Sequence, residues 1–154
     1  MVIRTVRTNG RATATGPFMA TMVKRFHQDM LPFAFHDAES VFFILARIPF
    51  KPDPVAYEML QRPALTLSMS GPGGDCDDKA IAMGSWAYLN KIPFRFVAVR
   101  RSNRKTLHHV FTELYIRNRW VPFDCTFSYN LPGRTPHYQE RVIIWPTKHQ
   151  IQRQ

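Results

Sequence analysis

The sequence predicts an α+β fold in which N-terminal helices, one with a cysteine in its first turn, pack on an antiparallel sheet. Two observations carry this prediction. In three segments of residues 17–89, apolar residues recur at the three- and four-residue spacings of a helix. Within residues 94–126 and 141–145, apolar and polar residues alternate as in strands. Helices that precede strands along the chain indicate an α+β fold.

Length and composition limit the class of protein. The 154 residues predict one domain, residues 1–154, with a single core. Hydrophobic residues at 45% and charged residues at 21% exclude a disordered chain, and two cysteines argue against a disulfide scaffold. No apolar run approaches the ~20 residues of a membrane span. The N-terminus lacks the apolar stretch of a signal peptide, so we expect a protein that is cytoplasmic at synthesis.

The charge is strongly basic, with a formal net charge of +10. Such a balance suits nucleic acid, an anionic membrane or an acidic protein as partner. The basic residues are spread over both ends of the chain and the run RRSNRK at 100–105, which is typical of a solvated hairpin loop. No zinc-finger, helix-turn-helix or RNA-recognition signature is present. A nucleic-acid partner therefore rests on net charge alone.

The N-terminal part of the chain predicts an arm and two helices. Residues 1–16 are polar and predict an arm or a first edge strand. Residues 17–31 predict a helix. Residues 37–47 predict a second helix, with Asp37 or Ser40 as its cap. This second helix is apolar nearly all round, which indicates burial against the helix that carries the cysteine.

An extended link and a turn lead to that cysteine helix. Residues 48–56 contain three prolines and predict an extended link. Residues 65–69 predict a short strand that leads into the glycine-rich turn at 71–74.

The helix after the glycine turn begins with a cysteine. Asp75 is a favoured N-cap, and Asp77 and Asp78 place negative charge where the helix dipole favours it. Asn90 predicts the stop, because Asn tolerates the left-handed conformation. Cys76 is then either a small packed residue or a nucleophile, since helix amides lower a thiol pKa. The flanking aspartates raise that pKa, so a nucleophile here needs a compensating cation, most simply a histidinium.

The C-terminal part predicts an antiparallel sheet. Residues 94–101, 108–116 and 120–126 predict three strands, with Asn118 and Arg119 in the hairpin turn between the last two. Pro122 indicates an edge strand or a bulge, because proline lacks the amide that a ladder needs. Residues 141–145 predict a last strand.

Two of these strands carry groups that complete a catalytic arrangement. His108 and His109 begin one strand, and Asp124 lies near the end of the next. With Cys76, they give the nucleophile, base and orienting carboxylate of thiol catalysis. Adjacent strand residues point to opposite faces, so only one histidine can face the thiol. Cys125 is expected to be a core cysteine on the opposite face from Asp124.

Several motifs stand together in one order along the chain. They are GGDCDDKA at 73–80, IPFRFVAV at 92–99, His-x-x-x-Glu from His109 to Glu113, and Trp-x-x-x-Asp-x-Thr within RWVPFDCT at 119–126. This set resembles the transglutaminase-like superfamily, which has the papain-like fold and a Cys-His-Asp order. The resemblance covers roughly residues 70–128. It implies Cys76 as nucleophile, His109 as base, because Glu113 follows it as in the family, and Asp124 as the third member.

The resemblance implies a thiol-dependent acyl-transfer enzyme. Such an enzyme cleaves or transfers a peptide or isopeptide amide through a cysteine thioester, so the expected partner is a protein or peptide substrate. Two positions depart from the family: Lys91 stands where glycine is common after the helix, and Phe111 replaces a tryptophan. Neither changes the assignment of the three site residues, but substrate preference cannot be carried over.

A looser likeness extends upstream. Residues 49–67, PFKPDPVAYEMLQRPALTL, resemble the lead-in of small phage and prophage members, for which the virion is a second location. The alternatives are a protein-crosslinking transglutaminase and a non-enzymatic phage structural protein that keeps the fold. The sequence leaves open the second oxyanion donor, the choice between water and an amine as acceptor, and the oligomeric state.

Metal and cofactor sites are weaker hypotheses. Asp75, Asp77 and Asp78 offer oxygen ligands to a divalent cation, but no calcium loop surrounds them. Cys76, His108 and His109 offer zinc ligands without the fourth that a structural site needs. No phosphate-binding or dinucleotide motif is present. We therefore expect neither a metal nor a cofactor.

Overall fold

The computed structural model describes residues 3–6, 12–54 and 57–146, with side chains from residue 15 onward. Its elements follow in chain order: β1 (Ile3–Val6), α1 (Ala12–Phe26), a 3-10 helix (His27–Phe33), α2 (Ala38–Ala46), β2 (Glu58–Gln61), α3 (Pro63–Thr66), α4 (Cys76–Leu89), β3 (Phe94–Arg100), β4 (His109–Ile116), β5 (Arg119–Phe123) and β6 (Glu140–Ile144). No helix of the described residues is both long and apolar enough to cross a bilayer.

The main sheet has four antiparallel strands in the order β5-β4-β3-β6. The four predicted strands are present, but β5 ends at Phe123, so Asp124, Cys125 and Thr126 follow the strand rather than belong to it. Pro122 lies on the edge strand β5, where a missing amide is tolerated. The hairpin turn lies one residue earlier than predicted. Arg117 and Asn118 take positive φ angles of 52° and 59°, and Arg119 already begins β5. Two central residues with positive φ match the twist of the strands they join.

Helix α4 is the centre of the molecule. It packs against α1, α2 and β4, and its residues from Asp77 to Ala87 are buried. Gly84 lets it approach the sheet, because a Cβ there would lie 2.9 Å from the Phe94 ring. The predicted burial of α2 against this helix is confirmed, and Asp37 caps α2 by accepting from Ser40 N at 2.7 Å.

The predicted stop of α4 at Asn90 is confirmed, since the helix ends at Leu89, but Asn90 does not take the left-handed conformation expected of it. Asn90 follows the helix with φ −88°, and Lys91 takes the left-handed conformation with φ 57°. The Asn90 side chain instead donates to Trp86 O at 2.9 Å, which satisfies a carbonyl of the last turn. Lys91 is the position at which the family often has glycine, and its φ explains that preference.

The segment between α2 and α4 differs most from the prediction. Residues 65–69 do not form a strand, because the short helix α3 occupies residues 63–66. This helix begins at Pro63, and proline suits the first position of a helix. The strand is β2, and it pairs with β1 in a separate two-stranded sheet. This pairing confirms the edge-strand alternative for the first residues, while 7–11 lie outside the described residues. The link at 48–56 has no helix or strand in its described part.

The first helix is longer than predicted at its start. Helix α1 begins at Ala12 and contains Pro17. After Phe26 the chain tightens into the 3-10 helix, which contains Pro32, so the predicted segment 17–31 is helical but of two kinds. Met19, Met22 and other apolar side chains of α1 are buried in the same core as α4.

Candidate active site

Cys76 is the first residue of α4, and a reciprocal pair of caps holds this end of the helix. The Asp75 carboxylate accepts from Asp77 N at 3.2 Å and Asp78 N at 3.5 Å. Asp78 returns the contact by accepting from Asp75 N at 3.4 Å. The sequence-predicted N-cap is therefore confirmed, and Asp78 takes a capping position that sequence analysis did not assign.

The glycine-rich loop before Cys76 is fixed against the link that follows α2. Gly73 has φ 82°, and a Cβ there would lie 2.6 Å from Pro49 O. Gly74 pairs with Phe50 in an isolated parallel bridge, with Gly74 N donating to Pro49 O at 3.1 Å. A side chain at Gly73 would break this contact, so the loop needs glycine to place the helix start.

His109 and Asp124 are bonded to each other. His109 Nε2 lies 2.7 Å from Asp124 Oδ2, and both side chains are buried. Asp124 Oδ1 accepts from Thr126 N at 3.3 Å, and its carbonyl accepts from Asn130 Nδ2 at 2.8 Å. Since Nε2 is bonded to the carboxylate, Nδ1 is the ring nitrogen left for a thiol. Asp124 thus sets both the tautomer and the tilt of the ring.

The ionised form of Asp124 is the favoured one. Burial raises the pKa of this carboxyl, but the hydrogen bond and charge of His109 and the hydrogen bonds from Thr126 together hold the pKa below its usual value. A negative charge next to His109 stabilises the imidazolium that forms when the ring accepts a proton.

The neighbouring His108 has different contacts. Its Nδ1 lies 3.3 Å from Thr106 O, on the loop between β3 and β4. Burial lowers the pKa of His108, which favours its neutral form. The structure thus brings His109, and not His108, to Asp124.

A cavity of about 230 Å³ opens beside these groups. Cys76 and His109 lie in its wall, together with Thr15, Met19, Glu58, Asp77, Thr106, Leu107, His108 and Val110. The thiol and the imidazole therefore face one common space that a substrate carbonyl can enter. The cavity is smaller than the ~300–1,000 Å³ of drug-sized pockets, so it suits one substrate side chain and the adjoining carbonyl.

The surroundings of Cys76 raise the pKa of its thiol and so favour the neutral form. Burial raises the pKa of Cys76 well above its ordinary value, and the charges of Asp75, Glu58 and Asp124 raise it further. A hydrogen bond from the Val110 backbone acts in the opposite direction. The lowering of the thiol pKa that a helix start alone would give is therefore outweighed, first by burial and then by the carboxylates around the helix start.

The comparison with protein families decides which family these residues belong to. Residues 40–125 match the transglutaminase-like superfamily, a stretch that contains Cys76, His109 and Asp124. The chain belongs to the transglutaminase-like superfamily. No curated protein matches the sequence.

A solved structure supports the same fold for this transglutaminase-like chain. It is the crystal structure of a "putative cysteine protease" from Cytophaga hutchinsonii, with a TM-score of 0.50 and 13% sequence identity. The match covers 93% of this chain and 53% of that chain, so the present chain spans about half of that protein. At this identity, the likeness concerns the fold alone.

Lys79 lies next to the candidate site of this transglutaminase-like chain. It belongs to the motif GGDCDDKA, but the motif alone gives it no role. Its side chain is buried, and Nζ donates to Ile48 O at 2.7 Å and Thr126 O at 2.8 Å. Burial lowers the pKa of Lys79, while nearby negative groups, among them Asp124, act in the opposite direction. Lys79 therefore ties the cysteine helix to the segment that follows Asp124. The sequence offered one sign of this role, namely that Lys79 follows Cys76 by three residues on the same predicted helix.

Gln61, at the end of β2, makes its hydrogen bonds to the glycine-rich loop and the start of α4. Its Nε2 donates to Gly73 O at 3.1 Å and to Asp78 Oδ2 at 2.7 Å, and its backbone amide donates to Asp78 Oδ1 at 2.8 Å. These bonds join β2 to the start of α4. They commit the amide to structure rather than to a substrate.

The carboxylates beside the site form a tighter group than the sequence indicated. Asp53, Glu58, Asp75 and Asp77 each offer an oxygen, and these oxygens lie within 4.8 Å of one another. Among the described residues, this is the group whose spacing suits a metal ion, and neither Cys76 nor a histidine belongs to it. Asp78, grouped with Asp75 and Asp77 in the sequence, is bonded to Gln61 instead.

The other cysteine follows its prediction. Cys125 is 2% exposed, and its thiol donates to Lys79 O at 3.8 Å. Burial raises the pKa of Cys125 to about 12, so this thiol is unreactive near neutral pH.

Proposed function

We propose that this transglutaminase-like protein is a thiol-dependent hydrolase that cleaves a peptide or isopeptide amide through an acyl-enzyme on Cys76. His109 is the general base and acid, and Asp124 orients it. The observation that carries the proposal is the 2.7 Å bond between His109 and Asp124 at the wall of the cavity that Cys76 also lines. It supplies an oriented imidazole beside a thiol at a helix start.

The reaction begins with proton transfer, because the raised pKa of Cys76 favours the neutral thiol. His109 Nδ1 accepts the proton of Cys76 as the sulfur attacks the amide carbonyl, and the carbonyl oxygen takes the negative charge. The backbone amide of Cys76, in the first turn of α4, is placed to donate to that oxygen. Asp124 stabilises the imidazolium that results.

Collapse of the tetrahedral species breaks the carbon–nitrogen bond. The imidazolium gives its proton to the leaving amine, and a thioester remains on Cys76. His109 then takes a proton from water, whose oxygen attacks the thioester and releases the acid and the free thiol. Every proton leaves and returns through one ring, so the cycle needs no other acid or base.

Transfer to a lysine amine shares every step up to the thioester. Crosslinking is thus the alternative outcome of the same chemistry, and only the acceptor distinguishes it. A third alternative is a phage structural protein that keeps the fold without activity, and the phage association rests on the resemblance of residues 49–67 alone. A structural protein without activity would form no acyl-enzyme.

The test is to trap the acyl-enzyme with p-nitrophenyl esters of short N-acetylated peptides. Intact-protein and peptide mass spectrometry should find the acyl group on Cys76 of the wild-type protein. Cys125→Ala should keep the adduct, and Cys76→Ala, folded by circular dichroism, should lose it. An adduct on Cys125 only, or none on folded wild-type protein, would refute the proposal. Adding glycine amide or a lysine amine then separates hydrolysis from transfer by the mass of the product.

A further inference from the structure

We propose that the cavity beside Cys76 binds a positively charged substrate side chain, lysine or arginine, next to the carbonyl that Cys76 attacks. This inference rests on the proposed function, since it names the substrate class of the same site. It is carried by the acidic wall of the cavity and by a buried threonine hydroxyl in that wall that has no partner within the described protein.

The acidic wall has no basic partner within the described protein. Glu58 and Asp77 line the cavity, and the oxygens of Asp53 and Asp75 lie within 4.8 Å of theirs. The ion pairs among the described residues involve other carboxylates, namely Asp29, Glu113, Asp124 and Glu140. Four carboxyl groups thus crowd together without a described cation, in a chain whose net charge is +10.

Three of these groups, Asp53, Glu58 and Asp77, have raised pKa values, mainly because they are buried. Burial raises the pKa of Asp77 well above its usual value, with Asp75 and Asp78 adding to the shift. Burial also raises the pKa of Glu58, and it raises that of Asp53 to about 6. A cation placed among the carboxyls would relieve their mutual repulsion and stabilise their ionised forms.

A buried oxygen of the cavity wall outside the carboxylate group lacks a hydrogen-bond partner. Thr15 is 3% exposed and lines the cavity, and its Oγ1 has no partner within the described protein. Asp77, also 3% exposed, shares side-chain hydrogen bonds with Asp75 and Glu58 inside the carboxylate group. Thr15 lies on α1, outside the carboxylate group, so it is an independent sign of a missing donor. An ammonium or guanidinium group supplies several N–H donors and no acceptor, which is the complement of these oxygens.

The rest of the wall suits the stem of such a side chain. Met19, Leu107 and Val110 give the cavity an apolar part. Lysine and arginine bury their methylene stems against apolar surface while the charged head stays with polar groups. The neighbouring His108 does not oppose a cation, because burial lowers its pKa and keeps the ring neutral.

The test uses peptidyl acyloxymethyl ketones, which alkylate a catalytic cysteine after binding as a substrate does. Four probes differ only in the residue next to the reactive carbon: lysine, arginine, norleucine and glutamate. The rate constant for labelling of Cys76 is measured by peptide mass spectrometry, at low salt and with EDTA present to keep metal ions off the carboxylates. The lysine or arginine probe should react at least tenfold faster than norleucine, and glutamate should be slowest.

Two variants separate this cavity from the overall charge of the protein. Glu58→Gln should reduce the ratio of the lysine rate to the norleucine rate several-fold. Glu39→Gln removes the same charge from an exposed position on α2, and it should leave the ratio unchanged. If the wild-type protein labels on Cys76 with equal rates for lysine and norleucine, or fastest with norleucine, the inference is overturned while the proposed function stands. If no probe labels Cys76, both fall together.

Discussion

At the scale of single residues, the chemistry depends on how charge is placed around one thiol. Cys76 has the helix amides of α4 on one side, but burial and the carboxylates around it raise the pKa of its thiol. A protonated His109 ring would oppose that shift, and it forms when the thiol gives up its proton. The two groups therefore exchange a proton during attack rather than before it.

The first prediction compares the two adjacent histidines. His109→Ala should slow acylation of Cys76 by about 10²–10⁴-fold, the usual contribution of a general base. His108→Ala should cost far less, because its ring is bonded to Thr106 O and not to Asp124. The measurement is the rate of acyl-adduct formation from the peptide ester. A larger loss in His108→Ala than in His109→Ala would mean that the base is wrongly assigned.

The second prediction concerns the pH dependence of the thiol itself. Because burial and nearby carboxylates raise the pKa of Cys76, its alkylation by iodoacetamide should keep rising with pH through and beyond the range of an ordinary thiol. Peptide mass spectrometry at a series of pH values gives the profile. Cys125, with a pKa of about 12, serves as the slow internal control. A plateau for Cys76 below neutral pH would instead reveal a thiolate–imidazolium pair in the free protein.

At the scale of elements, helix α4 is held on two sides by polar groups inside the core. Thr112 on β4 donates to Ala80 O at 2.9 Å, and Lys79 donates to two carbonyls of flanking segments. Directional bonds fix the rotation of a helix in a way that apolar packing does not. The sheet that carries His109 and the helix that carries Cys76 thereby keep a fixed relation.

The third prediction tests the anchor at Lys79. Lys79→Met keeps the length of the side chain but leaves the carbonyls of Ile48 and Thr126 without their donor. The free energy of unfolding should fall by about 1–3 kcal/mol, the cost of unpaired buried groups. Acylation of Cys76 should also slow, because the variant no longer holds Thr126, two residues after Asp124, in place. Urea denaturation and the ester assay measure the two effects.

The matched control for Lys79 is Lys24→Met, an exposed lysine on α1. It should change the free energy of unfolding by no more than about 0.5 kcal/mol, as surface substitutions do. A Lys79→Met protein as stable and as active as the control would show that the two carbonyl contacts are dispensable.

The fourth prediction tests the close approach of α4 to the sheet. In Gly84→Ala the new Cβ would lie 2.9 Å from the Phe94 ring and 3.2 Å from Phe96. Overpacking of ~1–3 kcal/mol outweighs the gain of about 1 kcal/mol in helix propensity, so the melting temperature should fall. Ser85→Ala, the next position, should raise it, because the buried Ser85 hydroxyl has no partner within the described protein. Calorimetry gives the melting temperature of both variants. A higher melting temperature for Gly84→Ala than for wild type would contradict the close approach of α4 to Phe94.

At the scale of the whole molecule, the basic surface and the acidic cavity have opposite signs. The net charge of +10 is spread over the chain, while Asp53, Glu58, Asp75 and Asp77 gather at one place beside the cavity. Such a cluster destabilises the folded state when all its members are ionised, which proteins tolerate most often where a site requires it. The cost should appear as a dependence of stability on pH.

The fifth prediction is this pH dependence. Asp53 has a pKa of about 6 in the folded protein, raised from 3.8 mainly by burial. Between these values the folded state holds a proton that the unfolded state has lost, so the free energy of unfolding should decrease as pH rises through that window. Asp53→Asn keeps an acceptor for the Met59 amide and removes the titration. The variant should gain stability relative to wild type from about pH 4 to about pH 7 in guanidinium denaturation. If the free energy of unfolding of the two proteins changes with pH in parallel, the prediction is wrong.

The sequence determined the features that depend on neighbours a few residues apart. Asp75 as the cap of α4, Cys76 at its first turn and the β4–β5 hairpin follow from short-range patterns of capping, periodicity and turn residues. Because β4 and β5 pair antiparallel, the hairpin brings the segment just after β5, which carries Asp124, to the start of β4, which carries His109. The choice of His109 over His108 came from the family resemblance. That is why the bonded histidine and aspartate of the candidate site could be predicted.

Other features of the site depend on contacts between segments that are far apart in the chain. The pairing of β1 with β2, the burial of Lys79 and the approach of Glu58 and Asp53 to the start of α4 join residues that no local pattern relates. The direction of the Cys76 pKa also came from these contacts, because burial and surrounding charge are sums over the whole fold. The chain therefore encodes its nucleophile locally, and long-range packing sets the electrostatics around it.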